Sequence, residues 1–464
     1  MLRASAACEA AGIPSSSIIG EGFLNLAAAT AAGQGTPKLP IAKFPGHPGV
    51  QSAEELRRNT LEVTLDGVID SLLNAPEQGS MDAEPGARDI IFKGTLDDID
   101  AYFYDNEFSD GLPFRPPTKE RVEAFLRYTD RSADEVLGIL LPDHRAATVW
   151  SVAINGVMAG CRPEYMPVLV ALIEAMADPY YGVEHSGNTP GSDTLITING
   201  PIIKELGFNY TQGVMRDGIR ANTSIGRFWR LYLRNVAGFL LHKNDKGSFG
   251  NTWRVVVAEN EDVVSEIGWE SNSVEMGFPS GTNTVTIARY AGGNHIGSVC
   301  GSTPEQMMPY LAEYVARQHF WHLTFTVGVT QGSLRPLILL SPILARTMAA
   351  AGWSKQDFKR ALFEQARMPA QYVERILRDW TQKGIWDLRD EVRLGHLPKV
   401  FYESDDPDRL VPIVWNPEDF MVTVTGDVAR NSAYIFTHNG YGGYPTAREI
   451  RLPRNWKALR ASGA

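Results

Sequence analysis

Four segments concentrate residue types that could do chemistry. The first runs Asn155-Gly156-Val157-Met158-Ala159-Gly160-Cys161-Arg162-Pro163-Glu164-Tyr165. Pro163 fits a first helical turn, so Cys161 stands just ahead of a helix start. The positive helix end and Arg162 would both lower its thiol pKa, and a thiolate there could act as nucleophile. Asn155 and Glu164 would then orient groups or exchange protons. The competing reading is a small buried cysteine that fills a gap. The second segment runs from Asp217 to Arg227, where a glycine loop and the polar run Asn222-Thr223-Ser224 lead into an apolar helix over Phe228–Val236. Amides at that helix start could hold a carboxylate or phosphate, with Arg220, Asn222, Ser224 and Arg227 as the binding residues. Simple helix capping is the alternative.

The third segment, Gly292-Gly293-Asn294-His295-Ile296-Gly297-Ser298-Val299-Cys300-Gly301-Ser302, precedes a marked helix start at Thr303-Pro304. Such a loop could cradle an anion, with His295 binding substrate or pairing with Cys300. It lacks the Gly-Lys-Ser/Thr ending of a phosphate loop, so a structural turn competes. The fourth is His319 and His322, three apart on one helix face but outside any zinc spacing; a structural role is favoured. No metal-ligand spacing is expected, and the residues name no cofactor. A nucleophile needs an anion-stabilising group beside it, so the first two segments, and the third with them, are expected to share one pocket.

The elements that must position these groups can be read from local pattern. Residues 1–75 alternate helix, strand, helix, strand, helix: Leu2–Ala11, Ile13–Ile19, Phe23–Gly33, Leu39–Phe44 and Ser52–Leu73. Ser52 and Glu55 form a capping box. The alternation predicts a parallel α/β layer, but two strands make a thin sheet that needs more strands from elsewhere. Residues 76–94 have linker composition. A main mixed α/β domain follows over 95–350, with capping signals at Thr95, Thr118 and Ser132/Glu135. A small helical unit spans 351–400, opened by Ser354 with Trp353 and Phe358 as a hydrophobic staple, and a β-rich segment spans 401–464. The fold class expected is α/β: an incomplete N-terminal parallel domain and a larger mixed α+β domain.

Length and composition set the outer limits. A chain of 464 residues exceeds one ordinary core. The net charge of −10 argues against nucleic acid or an anionic membrane as main partner. The most apolar stretch, Leu334–Trp353, contains Arg335, Pro336, Pro342 and Arg346 and makes a poor membrane span. Cys8, Cys161 and Cys300 are far apart, and the opening residues lack the apolar core of a signal peptide, so a reducing cytoplasm is expected.

Several of these motifs together resemble the UGSC family, named for a Sec-Gly-Ser-Cys or Cys-Gly-Ser-Cys motif. Glu9-Ala10-Ala11-Gly12-Ile13-Pro14, Phe23, Ala27–Ala32 and Phe44-Pro45-Gly46-His47-Pro48 resemble the second half of its short α/β domain. Asp110-Gly111-Leu112-Pro113, Pro116-Pro117-Thr118, Asn155–Tyr165, Asn199-Gly200-Pro201 and Arg220–Arg227 resemble the longer members. The Cys-Gly-Ser-Cys motif itself is absent, and Cys8 does not stand in it. The resemblance therefore implies that a separate small subunit supplies the first strands and the motif in trans. It also implies a hetero-oligomer doing thiol-dependent work on a small polar or anionic molecule. The step would be that of a lyase, hydrolase or reductase at a C–S or C–N bond. A non-catalytic scaffold subunit is the alternative.

Overall fold

The computed structural model describes residues 2–74, 85–381 and 386–461. The alternation at the start of the chain folds as read. Helix Leu2–Ala10, β1 (Ser17–Gly20), helix Leu24–Gly33 and β2 (Ile41–Phe44) are followed by a helix from Ala53 to Leu73 with a π turn at Thr60–Thr64. The Ser52–Glu55 capping box forms in both directions. β1 and β2 are parallel, with Ser17 opposite Ile41. Two parallel strands alone leave an edge on each side, and the small core of Leu2, Ala6, Ala27, Ala31 and Leu39 covers only part of the apolar surface. Ile18, Leu61, Leu65, Ile69 and Leu72 are exposed, and Leu73 is 78% exposed. Of the linker expected at 76–94, residues 75–84 lie outside the described residues, and 85–94 contain no helix or strand.

The larger unit is mixed α/β. β3 (Val136–Leu140) and β4 (Arg145–Thr148) form a hairpin. It corrects the helix expected after Ser132: a turn there, closed by Glu135 N–H to the Ser132 carbonyl, leads straight into β3. The main sheet runs in the order β11 (Met421–Val424), β8 (Leu337–Leu340), β12 (Ala433–His438), β7 (Thr284–Ile296), β5 (Asp193–Asn199) and β6 (Val256–Ala258). β13 (Thr446–Glu449) pairs with the first part of β7. The β8–β11 and β5–β6 pairs are parallel and the others antiparallel. A short pair, β9 (Arg367–Pro369) with β10 (Leu410–Pro412), stands apart. β11, β12 and β13 of segment 401–464 are thus integral to the sheet built by residues 193–340.

The sheet curls until its edge strands meet. The Asn260 N–H donates to the Val424 carbonyl at 2.8 Å, and Thr425 Oγ1 donates to the Ala258 carbonyl at 2.8 Å. Side chains alternate across the strands. Leu195, Val257, Ala288, Tyr290, Leu337 and Phe436 pack on the concave side. Ile196, Ile198, Val256, Val285 and Ile287 point the other way, into a layer containing helices Val149–Met158, Met166–Met176 and Arg220–Asn235. Ile338, Leu340, Val422 and Ile435 pack with helices Pro304–His319, Pro342–Ala350, Lys355–Gln365 and Ala370–Thr381. Among the described residues no helix is long and apolar enough to cross a membrane; Leu334–Trp353 instead contributes β8 and a buried helix.

Two segments differ from their sequence reading. Gly292–Ile296 is not a loop but the second half of β7, with Gly293 opposite Phe436 and His295 opposite Tyr434. Glycine is required there because a Cβ at Gly293 would lie 2.5 Å from the Tyr434 ring. The helix expected to begin at Phe228 begins at Arg220. Its Gly226 passes so close to the strand leading into β6 that a Cβ would lie 2.3 Å from the backbone of Arg254 and Val255. Backbone cannot move aside as a side-chain tip can. Gly226→Ala should therefore destabilise the protein by about 1–3 kcal/mol or more, seen as a lower urea midpoint in equilibrium unfolding; an unchanged midpoint would contradict this packing.

Candidate functional site

The first two sequence segments do meet, but as packing. Cys161 is buried, and the Ser224 hydroxyl lies within hydrogen-bonding reach of its thiol. Burial pushes the Cys161 thiol up to about 12; the Ser224 hydrogen bond and the Arg227 charge offset this only in part. The lowered pKa expected from Arg162 is thus corrected. Arg162 points to the surface and pairs with Glu164, and the chain beyond it first makes a 3-10 turn, Pro163–Tyr165. Asn155 donates to the Ser151 carbonyl at 3.0 Å and accepts from Asn235 at 2.9 Å, tying two helices together.

The proposed anion site is spent on internal bonds. The Arg227 guanidinium grips Asp110 through Nε at 2.9 Å and Nη2 at 2.8 Å, and donates to the Leu112 and Pro113 carbonyls. It fixes the Asp110–Pro113 turn. Asn222, fully buried, bridges the Asn209 backbone to the Val256 carbonyl. Ser224 donates to the Arg220 carbonyl at 2.6 Å. Arg220 alone of this set is exposed. An open cleft of about 820 Å³ lies ahead of the helix, lined by Lys204, Asn209, Arg216 and Ile219 but by none of Asn222, Ser224 and Arg227. The expected convergence of the third segment fails. His295 and Cys300 are exposed, and the His295 carbonyl faces Tyr314 of the other helical layer. His319 is buried and His322 half-buried, and loss of hydration lowers their pKa to about 4 and about 3, which keeps both neutral at physiological pH.

Another charged constellation borders a cavity. The Glu259 carboxylate sits in the seam where the sheet edges meet, with no exposed surface. It accepts from Asn199 Nδ2 at 2.6 Å, Asn272 N–H at 2.7 Å and Val424 N–H at 3.4 Å. Helix Lys355–Gln365, opened by the Ser354–Asp357 capping box, sends two lysines toward it. Lys355 and Lys359 are four apart and share a face. Lys355 Nζ lies 3.7 Å from Glu259 and 3.1 Å from Glu275, and Lys359 Nζ lies 2.5 Å from Glu275. Four groups of alternating sign therefore run in a line out of the seam. Burial pushes the Glu259 carboxyl up and the Lys359 ammonium down; Lys355 and Glu275 respectively oppose these shifts.

The line ends at a cavity of about 460 Å³ walled by Glu275, Lys359, Asn272, Arg335, Phe420 and Met421. That volume suits a small molecule, and buried, perturbed ionisable groups at a cavity are the kind of arrangement that acid–base chemistry uses. Sequence reading missed this site. The signal was two lysines in the first two turns of a well-capped helix, where the helix dipole disfavours cations, and a Glu259-Asn260-Glu261 run directly after an apolar strand.

The N-terminal unit is thus a helix–strand–helix–strand–helix with a two-stranded parallel sheet and a Ser52 cap. Residues 1–74 match the UGSC family. The UGSC match ends where the described N-terminal unit ends and does not reach the cavity. No characterised protein and no solved structure matches the chain.

These environments make two outcomes testable. A brief alkylation near neutral pH should modify exposed Cys300 and leave Cys161 untouched until the protein is denatured, as peptide mass spectrometry would show; rapid native labelling of Cys161 would mean its thiol is not held as described. Lys355→Met would strand the Glu259 carboxylate and should cost about 3–5 kcal/mol in urea unfolding, with Lys355→Met/Glu259→Gln recovering part of the loss. Equal stability of the single and double variants would argue against the pairing.

Proposed function

We propose that this chain is the large subunit of a heteromeric, thiol-dependent enzyme, and that a small partner bearing the Cys-Gly-Ser-Cys motif completes its N-terminal sheet. One observation carries the reading: the UGSC unit has a two-stranded parallel sheet with unpaired edges beside an uncovered apolar face at Ile18, Leu61, Leu65, Ile69 and Leu72. Parallel sheets are ordinarily buried on both faces and contain more than two strands. The occupant that fits is a polypeptide that adds strands and covers this face. The reactive thiols would be the partner's, since Cys161 is buried with a raised pKa. The substrate would be a small molecule, and the step that of a lyase, hydrolase or reductase at a C–S or C–N bond. The large chain would supply the frame on which the partner's motif is held.

The scaffold alternative draws support from the same buried Cys161 and from the clamped Arg227, neither of which lines either of the two cavities described above. Coexpression with a short Cys-Gly-Ser-Cys chain separates the possibilities. The expected result is a stable complex in which hydrogen exchange slows at β1 and along Leu61–Leu73. Activity should be lost when the partner's cysteines become serine and retained in Cys161→Ala. A well-behaved monomer whose β1 and Leu61–Leu73 amides are already protected would overturn the reading.

A further inference from the structure

The line of charges at the cavity has a property that an ordinary ion pair lacks. Fully ionised, Glu259, Lys355, Glu275 and Lys359 sum to zero. If Lys359 gives a proton to Glu275, both become neutral, and Lys355 is still held by Glu259 at 3.7 Å. The sum is again zero, and no buried charge is stranded. In an isolated buried lysine–glutamate pair, the same transfer removes the attraction that offset burial of both groups. Here Lys355 stands on the far side of Glu275, 3.1 Å away, so the carboxyl keeps a hydrogen-bond donor after it is protonated. Among the described residues Lys359 is the only lysine of the cavity wall, its side chain is 5% exposed, and its amine is at the open end of the line.

We propose that Lys359 is a nucleophilic amine that forms an imine with a small neutral aldehyde or ketone bound in this cavity. Glu275 takes a proton from the Lys359 ammonium. The free amine adds to the carbonyl carbon, and a proton passes from the added nitrogen to the carbonyl oxygen to give a carbinolamine. Loss of water, with Glu275 returning its proton to the departing hydroxyl, leaves the protonated imine beside the Glu275 carboxylate, so one C=O becomes one C=N and one water is released. No oxidant or reductant is consumed. Phe420, Met421 and Met276 provide an apolar wall for the carbon skeleton. Glu270 and Glu418, both exposed at the rim, disfavour an anionic ligand, and the wall's other cation, Arg335, is paired with Asp419 at 3.2 Å, so a neutral ligand is favoured. Burial also lowers the Lys359 pKa, which raises the share of free amine near neutral pH. The inference does not depend on the subunit reading, since the cavity is built wholly from residues 270–445.

The test is reductive trapping on the intact chain. The protein is incubated at pH 7 with propanal or butanone and cyanoborohydride, and modified lysines are located by peptide mass spectrometry. Lys359 should be modified faster than any exposed lysine, because a lowered lysine pKa raises the neutral fraction of the amine. Glu275→Gln should slow trapping at Lys359 without changing the rate at surface lysines. Lys359→Arg should remove the fast phase altogether. Trapping spread over surface lysines with Lys359 unmodified in the wild-type chain would overturn the proposal, and that result needs no variant to fold. A Lys359 rate unchanged in Glu275→Gln would overturn the role of the carboxylate.

Discussion

A single buried carboxylate joins the parts of this molecule. Glu259 stands where the first and last strands of a curled sheet approach, and it satisfies an amide from each side: Asn272 N–H near one edge and Val424 N–H on the other. Removing a carboxylate from water costs several kcal/mol, and that cost is offset only when its oxygens are filled and a cation is close. Asn199, the two amides and Lys355 provide this. The helix that carries Lys355 is in turn fixed by its cap and by Phe358 packed near Trp269. The closure of the sheet, the seat of the helix and the shape of the cavity are therefore one problem in electrostatics.

The molecule buries another cation by different means, and the contrast is informative. Arg289 projects from β7 on the opposite side from the concave core and is 2% exposed. Its guanidinium donates to the carbonyls of Gly182, Tyr181 and Gly442 and lies 4.1 Å from the centre of the Tyr181 ring. Dipoles and an aromatic face hold that charge, and among the described residues no carboxylate is paired with it. A fixed guanidinium in such a cage is structural. A lysine row shared between two carboxylates is not fixed in the same sense, because its protons have somewhere to go.

Local signals were legible where the physics is local. The Ser52–Glu55, Thr95–Asp98 and Ser354–Asp357 caps and the alternation over residues 1–75 arise from side chains within a few positions of one another. The Gly292–Ile296 run failed because Gly293 answers to Tyr434 and Phe436 across the sheet, which sequence spacing does not reveal. Cys161 failed for a related reason. Arg162 is next in the chain, yet burial among distant helices sets the thiol's protonation, and the nearest hydroxyl comes from Ser224. Asn222 and Arg227 looked like ligand groups because their partners, Val256 and Asp110, lie 34 and 117 positions away.

The seam also orders events during synthesis. Glu259 and Val424 are 165 positions apart, so the carboxylate leaves the ribosome long before the strand that closes over it. Asn199 and the two lysines are likewise made before β11. Until that strand and β12 after it arrive, the charges stay hydrated and the sheet is in two pieces, β7, β5 and β6 on one side and β8 unjoined on the other. At rates of roughly 5–20 residues per second, that interval lasts on the order of ten to thirty seconds. The dehydration of the charge row is thus deferred to the end of the process. A nascent chain must keep its two apolar layers from pairing wrongly for that whole time, which makes this sheet a natural client for chaperones that shield unpaired strands.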